Sequence, residues 1–438
     1  MSERVLVVLA ADLHVRNFVT SGALDEIEGE VLFVVSAGRV SPDSDVRKGA
    51  GYLGEIEEGR LGIRLYAWLE LLWRAARRRR SPTLATKLSL TRRRTRAALK
   101  VLALPGVRRP LDAALRAMAA ANRDLGRLFD EASPDVLLVP TGGNDPLVNQ
   151  AIRAARRRRI ASLAVMVNWD GLTSKGALIE RPDRVGVWGE RTASDARRVH
   201  GLPAERIDVI GSPTLDRYMH PAKEIGPSPF PKPYALIAGA YTPYDEARLV
   251  EELRAARRDT HLDIALVYRP HPYRAPRRRP DRVLEGDGVI LDPAVADAYV
   301  ASFEPGGRTR ERASFPPLSE YLSLLHNASF VISPLSTMVL EAALIPRPVI
   351  AVTADDGLNR PPMSTVARYE HFAGLAEATP VSIASSYGEL RDRFGEAARE
   401  AAAPPSRDPS LNLIVWSDRS TFAERMKEWV RGAAQNRD

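Results

Sequence analysis

The stretch Phe330-Val331-Ile332-Ser333-Pro334-Leu335-Ser336-Thr337 is an apolar run that ends in small hydroxyl residues, followed by a helical segment containing Glu341 and then by Ile345-Pro346-Arg347-Pro348-Val349-Ile350. A buried strand leading straight into a helix and then into a second apolar run predicts a crossover between parallel strands. Outward from this point the alternation repeats. Short apolar runs lie at Tyr234-Ala238, Ile264-Tyr268, Val289-Leu291 and Pro348-Val352 in the same half, and at Val5-Leu9, Val31-Val35, Val136-Val139, Ser162-Val167, Arg184-Trp188 and Ile207-Ile210 in the first half. The pattern predicts an α/β chain of two Rossmann-like lobes, each a parallel sheet with crossover helices.

Prolines 221, 227, 229, 231 and 233 crowd the segment between the two sets, which suits a linker and continues neither sheet. The expected division is a first lobe over 1–217, a linker over 218–233, a second lobe over 234–418 and a closing helix over 419–438 that packs back on the first lobe. Thr421-Phe422-Ala423-Glu424 has capping-box spacing at the head of that helix. Residues 50–125 read as a basic helical insertion, and the Gly-, Pro- and Arg-rich run Phe303 to Pro317 as a mobile loop.

At 438 residues the chain is too long for one ordinary core, which agrees with two lobes. It has no cysteine, which excludes disulfides, thiolate catalysis and cysteine-ligated metals. Seven scattered histidines give no metal-ligand spacing, so neither a metal nor a cofactor is expected beyond the substrate itself. Val5-Leu9 is far too short to span a membrane and lacks the basic start of a secretion signal, so a cytoplasmic location is expected. The net charge of +8 is local: thirteen Arg and Lys lie between Glu70 and Asp112 with no acidic residue, so the rest of the chain is on balance acidic. Such a distribution argues against nucleic acid as a partner. Within the insertion, Ile63, Leu65, Tyr66, Trp68, Leu69, Leu72 and Trp73 precede Arg77-Arg78-Arg79-Arg80. Two readings stand open: a helix lying on an anionic membrane surface, as in a peripheral protein at the inner face of the plasma membrane, or an apolar face packed on the first lobe.

Ligands of open α/β sheets sit beyond the carboxyl ends of the strands. After Ile264-Tyr268 come Arg269-Pro270-His271-Pro272-Tyr273-Arg274, an imidazole and guanidiniums on a backbone stiffened by proline. They can donate charge-assisted hydrogen bonds to a phosphate. Ser333, Ser336 and Thr337 offer hydroxyls at a helix start, where free N–H groups and the helix dipole favour a diphosphate, and Glu341 one turn on can reach a ribose. Taken singly, the same residues serve equally as a rigid turn, an ordinary N-cap and an ordinary helix carboxylate.

His271-Pro272 followed by Ser336-Thr337, Glu341-Ala342 and Pro346-Arg347-Pro348 resembles the donor lobe of GT-B enzymes. These include the UDP-N-acetylglucosamine epimerases, the CDP-glycerol glycerophosphotransferases and bacterial transferases with an HP motif. The resemblance implies two lobes facing a central cleft, with His271, Ser336 and Thr337 on the nucleotide phosphates and Glu341 on the ribose. The chain departs from the epimerases in having Ser336-Thr337 in place of their glycine pair. In the first half Asn168-Trp169-Asp170-Gly171-Leu172-Thr173-Ser174-Lys175-Gly176, Val187-Trp188-Gly189 and Gly211-Ser212-Pro213-Thr214-Leu215-Asp216 resemble the first lobe of bacterial surface-carbohydrate glycosyltransferases.

Transfer to a hydroxyl needs a carboxylate or imidazole to take its proton. Asp170 and Asp145 rank first, followed by His14 and Asp12, each of which as a loop residue serves equally to cap a turn. Asn144 and Lys175 are placed to steady an acceptor or a phosphate. The expected activity is sugar transfer from a nucleotide sugar to a glycan or lipid-linked hydroxyl acceptor in cell-surface glycan synthesis. A CDP-polyol phosphotransferase, a nucleotide-sugar epimerase and a non-catalytic binding protein are the alternatives, in that order.

Overall fold

A computed structural model describes residues 3–119, 122–143, 145–175, 178–220, 225–242, 244–271, 288–301, 318–403 and 406–435. The chain divides into two compact units, Met1–Asp216 with Asn412–Asp438, and Arg217–Leu411.

The first unit holds a seven-stranded parallel sheet of order β3-β2-β1-β4-β5-β6-β7. Its strands are β1 (Glu3–Leu9), β2 (Gly29–Ser36), β3 (Tyr52–Ile56), β4 (Val136–Thr141), β5 (Ala161–Met166), β6 (Arg184–Val187) and β7 (Ile207–Val209). Four helices follow β3: α1 (Arg60–Arg77), α2 (Pro82–Ser89), α3 (Arg93–Leu102) and α4 (Pro105–Met118); α5 (Arg123–Ala132) and α6 (Pro146–Arg158) complete the crossovers. Strand alternation sends the side chains of β1 to opposite faces. Leu6 and Val8 pack with Leu125 and Phe129 of α5 and Leu147 and Ile152 of α6. Val5, Val7 and Leu9 pack with Phe422, Met426 and Val430 of the closing helix Phe422–Gln435. Both faces are covered, which is why these strands read as continuous apolar runs.

The return of the tail explains two motifs that read as functional in the sequence. A Cβ on Gly189 would lie 2.5 Å from the Ile414 carbonyl oxygen, and one on Gly211 would lie 2.7 Å from that of Trp416. Asp216 pairs with Arg425 at 2.8 Å and accepts a hydrogen bond from the Phe422 N–H at 2.9 Å. Val187-Trp188-Gly189 and Gly211 to Asp216 are therefore the seat of the C-terminal segment.

The second unit holds a six-stranded parallel sheet of order β10-β9-β8-β11-β12-β13. Its strands are β8 (Tyr234–Ala238), β9 (Ala265–Arg269), β10 (Val289–Leu291), β11 (Phe330–Pro334), β12 (Val349–Val352) and β13 (Val381–Ala384), and its principal helices are α7 (Glu246–Thr260), α8 (Leu318–Asn327), α9 (Thr337–Leu344) and α10 (Tyr387–Glu400). In each sheet the chain winds one way and then the other. The reversal falls between β1 and β4 in the first unit and between β8 and β11 in the second, which marks the two switch points where ligands of such sheets lie.

Three expectations change. β3 and β13 are additional edge strands, and α5 belongs to the sheet's own crossovers, so the helical insertion runs from Arg60 to Met118 and not over 50–125. The apolar stripe of α1 is packed: Leu65, Tyr66, Leu69, Leu72 and Trp73 join Leu84, Leu99, Leu115, Ile179 and Val199 in one cluster. Of the residues expected to meet a membrane there, Trp68 stays 43% exposed. The expected loop over Phe303 to Pro317 lies outside the described residues. No helix among the described residues is long and apolar enough to cross a membrane.

Candidate functional site

At the switch point of the second unit three loops converge. Gly239 follows β8, and a Cβ there would lie 2.8 Å from both the His271 backbone nitrogen and Glu246 Oε2. Only glycine allows that approach. The Gly239 N–H donates to the Arg269 carbonyl at 2.8 Å. Glu246, at the head of α7, accepts from the Ala240 N–H at 3.1 Å and from the Tyr268 hydroxyl at 2.6 Å, which fixes the loop after β8. His271 is half-buried, its ring edge-on to Tyr241 with centroids 5.6 Å apart.

Across the switch point β11 delivers Ser336 as the N-cap of α9, its hydroxyl accepting from the Met338 N–H at 3.2 Å. The fully buried Ser333 hydroxyl sits 3.0 Å from that of Ser336 and holds it in place. Thr337, the first residue of α9, is half-exposed and its hydroxyl makes no hydrogen bond among the described residues. One turn on, Glu341 Oε2 accepts from the hydroxyls of Tyr321 at 2.5 Å and Tyr218 at 3.3 Å. Arg269 differs from its expected role. It is 9% exposed, ion-paired with Asp292 and stacked 4.7 Å over the Tyr321 ring. Its guanidinium therefore orients the tyrosine that holds Glu341, and a direct phosphate contact is not what the geometry shows. The expectation for Arg274 falls outside the described residues.

A pocket of about 540 Å³ opens over the carboxyl ends of β12 and β13, lined by Thr353, Asp355, Ser364, Ser385, Ser386 and Tyr387 among others. Its polar groups are already paired with protein partners: Asp355 takes the Ser364 N–H and hydroxyl at 2.8 and 2.7 Å, and Ser386 caps α10. The switch point, with an uncommitted hydroxyl and a helix start, remains the stronger candidate.

In the first unit the switch point brings His14 and Asp145 within each other's field. Burial pushes the His14 imidazole below its ordinary value, while Asp145 pulls it up and Arg39 pushes it down. The Ala10 N–H donates to His14 Nδ1 at 3.2 Å, so in the neutral ring the proton sits on Nε2. Asp145 heads α6, and its Oδ2 accepts from the Thr141 hydroxyl at 3.0 Å and the Gly142 N–H at 3.3 Å. Asp170 lies on a neighbouring turn, since a Cβ on Gly171 would lie 3.4 Å from the Gly142 carbonyl oxygen, and its carboxylate accepts from the Ser174 hydroxyl at 2.6 Å. Asp12 is exposed and caps the Ser41 N–H at 2.8 Å. Asn144 and the Lys175 side chain lie outside the described residues.

Two carboxylates here were not singled out in the sequence. Glu58 accepts from the Leu147 N–H at 2.8 Å, so the free N–H groups at the start of α6 are met by the protein's own anion. Glu70 on α1 has its carboxyl pushed up, first by burial and also by Asp145, against the pull of Arg74. Neither lies beside a predicted strand end, so only the fold reveals them; Gly239 and Tyr241, by contrast, were legible as the residues directly after a strand. Among the described residues no cluster of three His, Asp or Glu is arranged to hold a metal ion.

No protein-family model and no curated protein sequence matches the chain. Solved structures match it along its whole length. S. aureus MnaA with UDP is 12% identical with a TM-score of 0.54, covering 99% of this chain and 97% of the other. The UDP-GlcNAc 2-epimerase of Neisseria meningitidis bound to UDP-GlcNAc is 12% identical with a TM-score of 0.52, covering 99% and 100%. CalG4, the calicheamicin glycosyltransferase, is 12% identical with a TM-score of 0.52, covering 100% and 99%. The chain therefore has the two-lobed GT-B fold.

Proposed function

We propose that the protein is a glycosyltransferase that takes a nucleotide sugar at the switch point of its second unit and passes the sugar to a hydroxyl acceptor, in cell-surface glycan synthesis in the cytoplasm. One observation carries the assignment of the donor to the second unit. Both switch points end in a helix N-terminus that favours an anion. In the first unit Glu58 supplies that anion internally, whereas in the second the side chain that meets the start of α9 among the described residues is the neutral Ser336 hydroxyl. The second is therefore the one assigned to a diphosphate.

The scheme runs on positioning and charge stabilisation, with no resident metal or cofactor. The N–H groups and hydroxyls of Ser336 and Thr337, with His271, neutralise the nucleotide diphosphate as its bond to the sugar breaks. Glu341, held by Tyr321 and Tyr218, takes the ribose. The acceptor hydroxyl attacks the sugar carbon and gives its proton to a carboxylate of the first unit. Asp145 is assigned that task, because the proton on Nε2 makes His14 a donor that steadies charge and not a proton acceptor.

Epimerisation of the nucleotide sugar is the second reading, the activity named for the N. meningitidis protein that shares the fold. It needs no acceptor. Screening UDP, CMP, CDP and GDP compounds for thermal stabilisation identifies the donor, since a ligand of the folded state raises its melting temperature. Incubation of the stabilising nucleotide sugar with acceptor glycans and without them then separates the activities. Nucleotide released only with acceptor supports transfer; a new nucleotide-sugar isomer formed without acceptor overturns it.

A further inference from the structure

The packing of α1 leaves a different part of the insertion open. Val101 on α3 is 58% exposed, Leu104 at the corner before α4 is 54% exposed, and Val107 in the first turn of α4 is 39% exposed. Val101 lies two positions after the buried Leu99, and a helix of 3.6 residues per turn puts it on the opposite side of α3, facing away from the core. These three residues occupy a single corner of the chain. Lys100 and Arg109 flank them, and Arg92, Arg93 and Arg94 stand at the other end of α3, about 10–14 Å along its axis; all five are exposed, and none forms an ion pair among the described residues. From Leu90 to Pro110 there is no acidic residue to offset them. The positive field is felt inside the insertion: burial, then Arg108 and Arg80, push the Arg77 guanidinium down to about 10.

We propose that the α3–α4 corner docks the protein on an anionic lipid surface, with Val101, Leu104 and Val107 entering the interface and the exposed cations meeting the headgroups. Apolar tips with exposed cations beside them and along α3 match a bilayer surface, where one layer is apolar and the next is negative. A nucleic acid offers the negative charge but no apolar layer for the tips, and an acidic protein surface would leave the cations only partly met. The inference does not rest on the transferase reading. It adds where an acceptor carried on a lipid would be met.

Flotation of the full-length protein with vesicles tests it. Phosphatidylcholine vesicles are compared with vesicles in which about one-third of the lipid is phosphatidylglycerol. The protein is expected to float with the anionic vesicles at least about tenfold better than with the neutral ones, and less so as salt rises. The double variant Val101→Asp/Leu104→Asp is expected to lose most of that binding at an unchanged melting temperature. The triple variant Arg92→Gln/Arg93→Gln/Arg94→Gln, which touches no core residue, is expected to lower the binding and flatten its salt dependence. Equal binding to neutral and anionic vesicles, no binding to either, or wild-type binding by both variants overturns the proposal. So does tight binding to duplex DNA that survives the tip substitutions while vesicle binding is absent. Turnover of a water-soluble acceptor by the variants at wild-type rates keeps this result separate from the fate of the transferase reading.

Discussion

Glu58 and Ser336 meet N–H groups at the starts of α6 and α9, the helices that follow the two switch strands, Glu58 from the loop after β3 and Ser336 as the N-cap itself, and they differ in charge; the division of labour proposed for the units follows from that difference. In the proposed scheme Asp145 and His14 divide the chemistry of the first unit in a similar way. There the carboxylate is assigned the proton, and the imidazole, whose Nδ1 accepts from the Ala10 N–H, is assigned the role of donor. Asp145→Asn is expected to lower kcat by about 10²–10⁴-fold with nucleotide affinity unchanged, read from turnover and from calorimetric binding of the donor. A second buried imidazole gives a pH signature of the fold. His200 donates from Nε2 to the Leu172 carbonyl at 2.9 Å and stacks on Trp73 at 4.6 Å, and burial holds its pKa down to about 3. The folded state keeps the ring neutral while the unfolded chain protonates it below about 6.5, so its contribution is complete above that pH and is lost as the pH falls toward 3. Urea unfolding at stepped pH is expected to show stability falling by up to about 1.4 kcal/mol per pH unit from this group, with His14 acting in the same direction. His200→Phe is expected to reduce the slope.

Elements whose sequence signal is local were legible, and those whose signal is tertiary were not. The Ser336 cap acts within one turn, and Ser336→Ala is expected to cost about 1 kcal/mol in urea unfolding. Asp216 acts across most of the chain length. Asp216→Ala leaves Arg425, whose side chain is 8% exposed, without its buried partner and is expected to cost about 3 kcal/mol by the same measurement. Spacing alone marked eleven strands, since each is a short apolar run between turn residues. It passed over β3 and β13, though it marked the other two edge strands, β7 and β10. Tyr52-Leu53-Gly54-Glu55-Ile56 carries a glycine and a glutamate, and Val381-Ser382-Ile383-Ala384 is only four residues long, so neither has the continuous apolar signature of a central strand. The amphipathic stripe of α1 was visible, but periodicity reports that a face is covered and not what covers it; Ile179 and Val199 do so from far along the chain. The Trp188-Gly189 and Gly211-to-Asp216 motifs are explained the same way, by a partner segment about two hundred residues away in the sequence for Asp216 and Arg425.

At the scale of the whole molecule the GT-B fold holds both a UDP-GlcNAc 2-epimerase and a glycosyltransferase among the solved structures that this chain is similar to at 12% identity, so the fold does not choose the reaction. The assignment rests on which helix start is left for the diphosphate. Calorimetric titration of the donor found by the nucleotide screen into the wild type and into Ser336→Asp tests that most directly. Aspartate caps a helix as well as serine does, so the variant is expected to keep its stability while its carboxylate occupies the anion site as Glu58 does in the first unit. A loss of at least about tenfold in nucleotide affinity at an unchanged melting temperature is the predicted result, about 1.4 kcal/mol or more. Wild-type affinity in Ser336→Asp would contradict the placement of the diphosphate at α9, and with it the division of the two units into donor and acceptor halves.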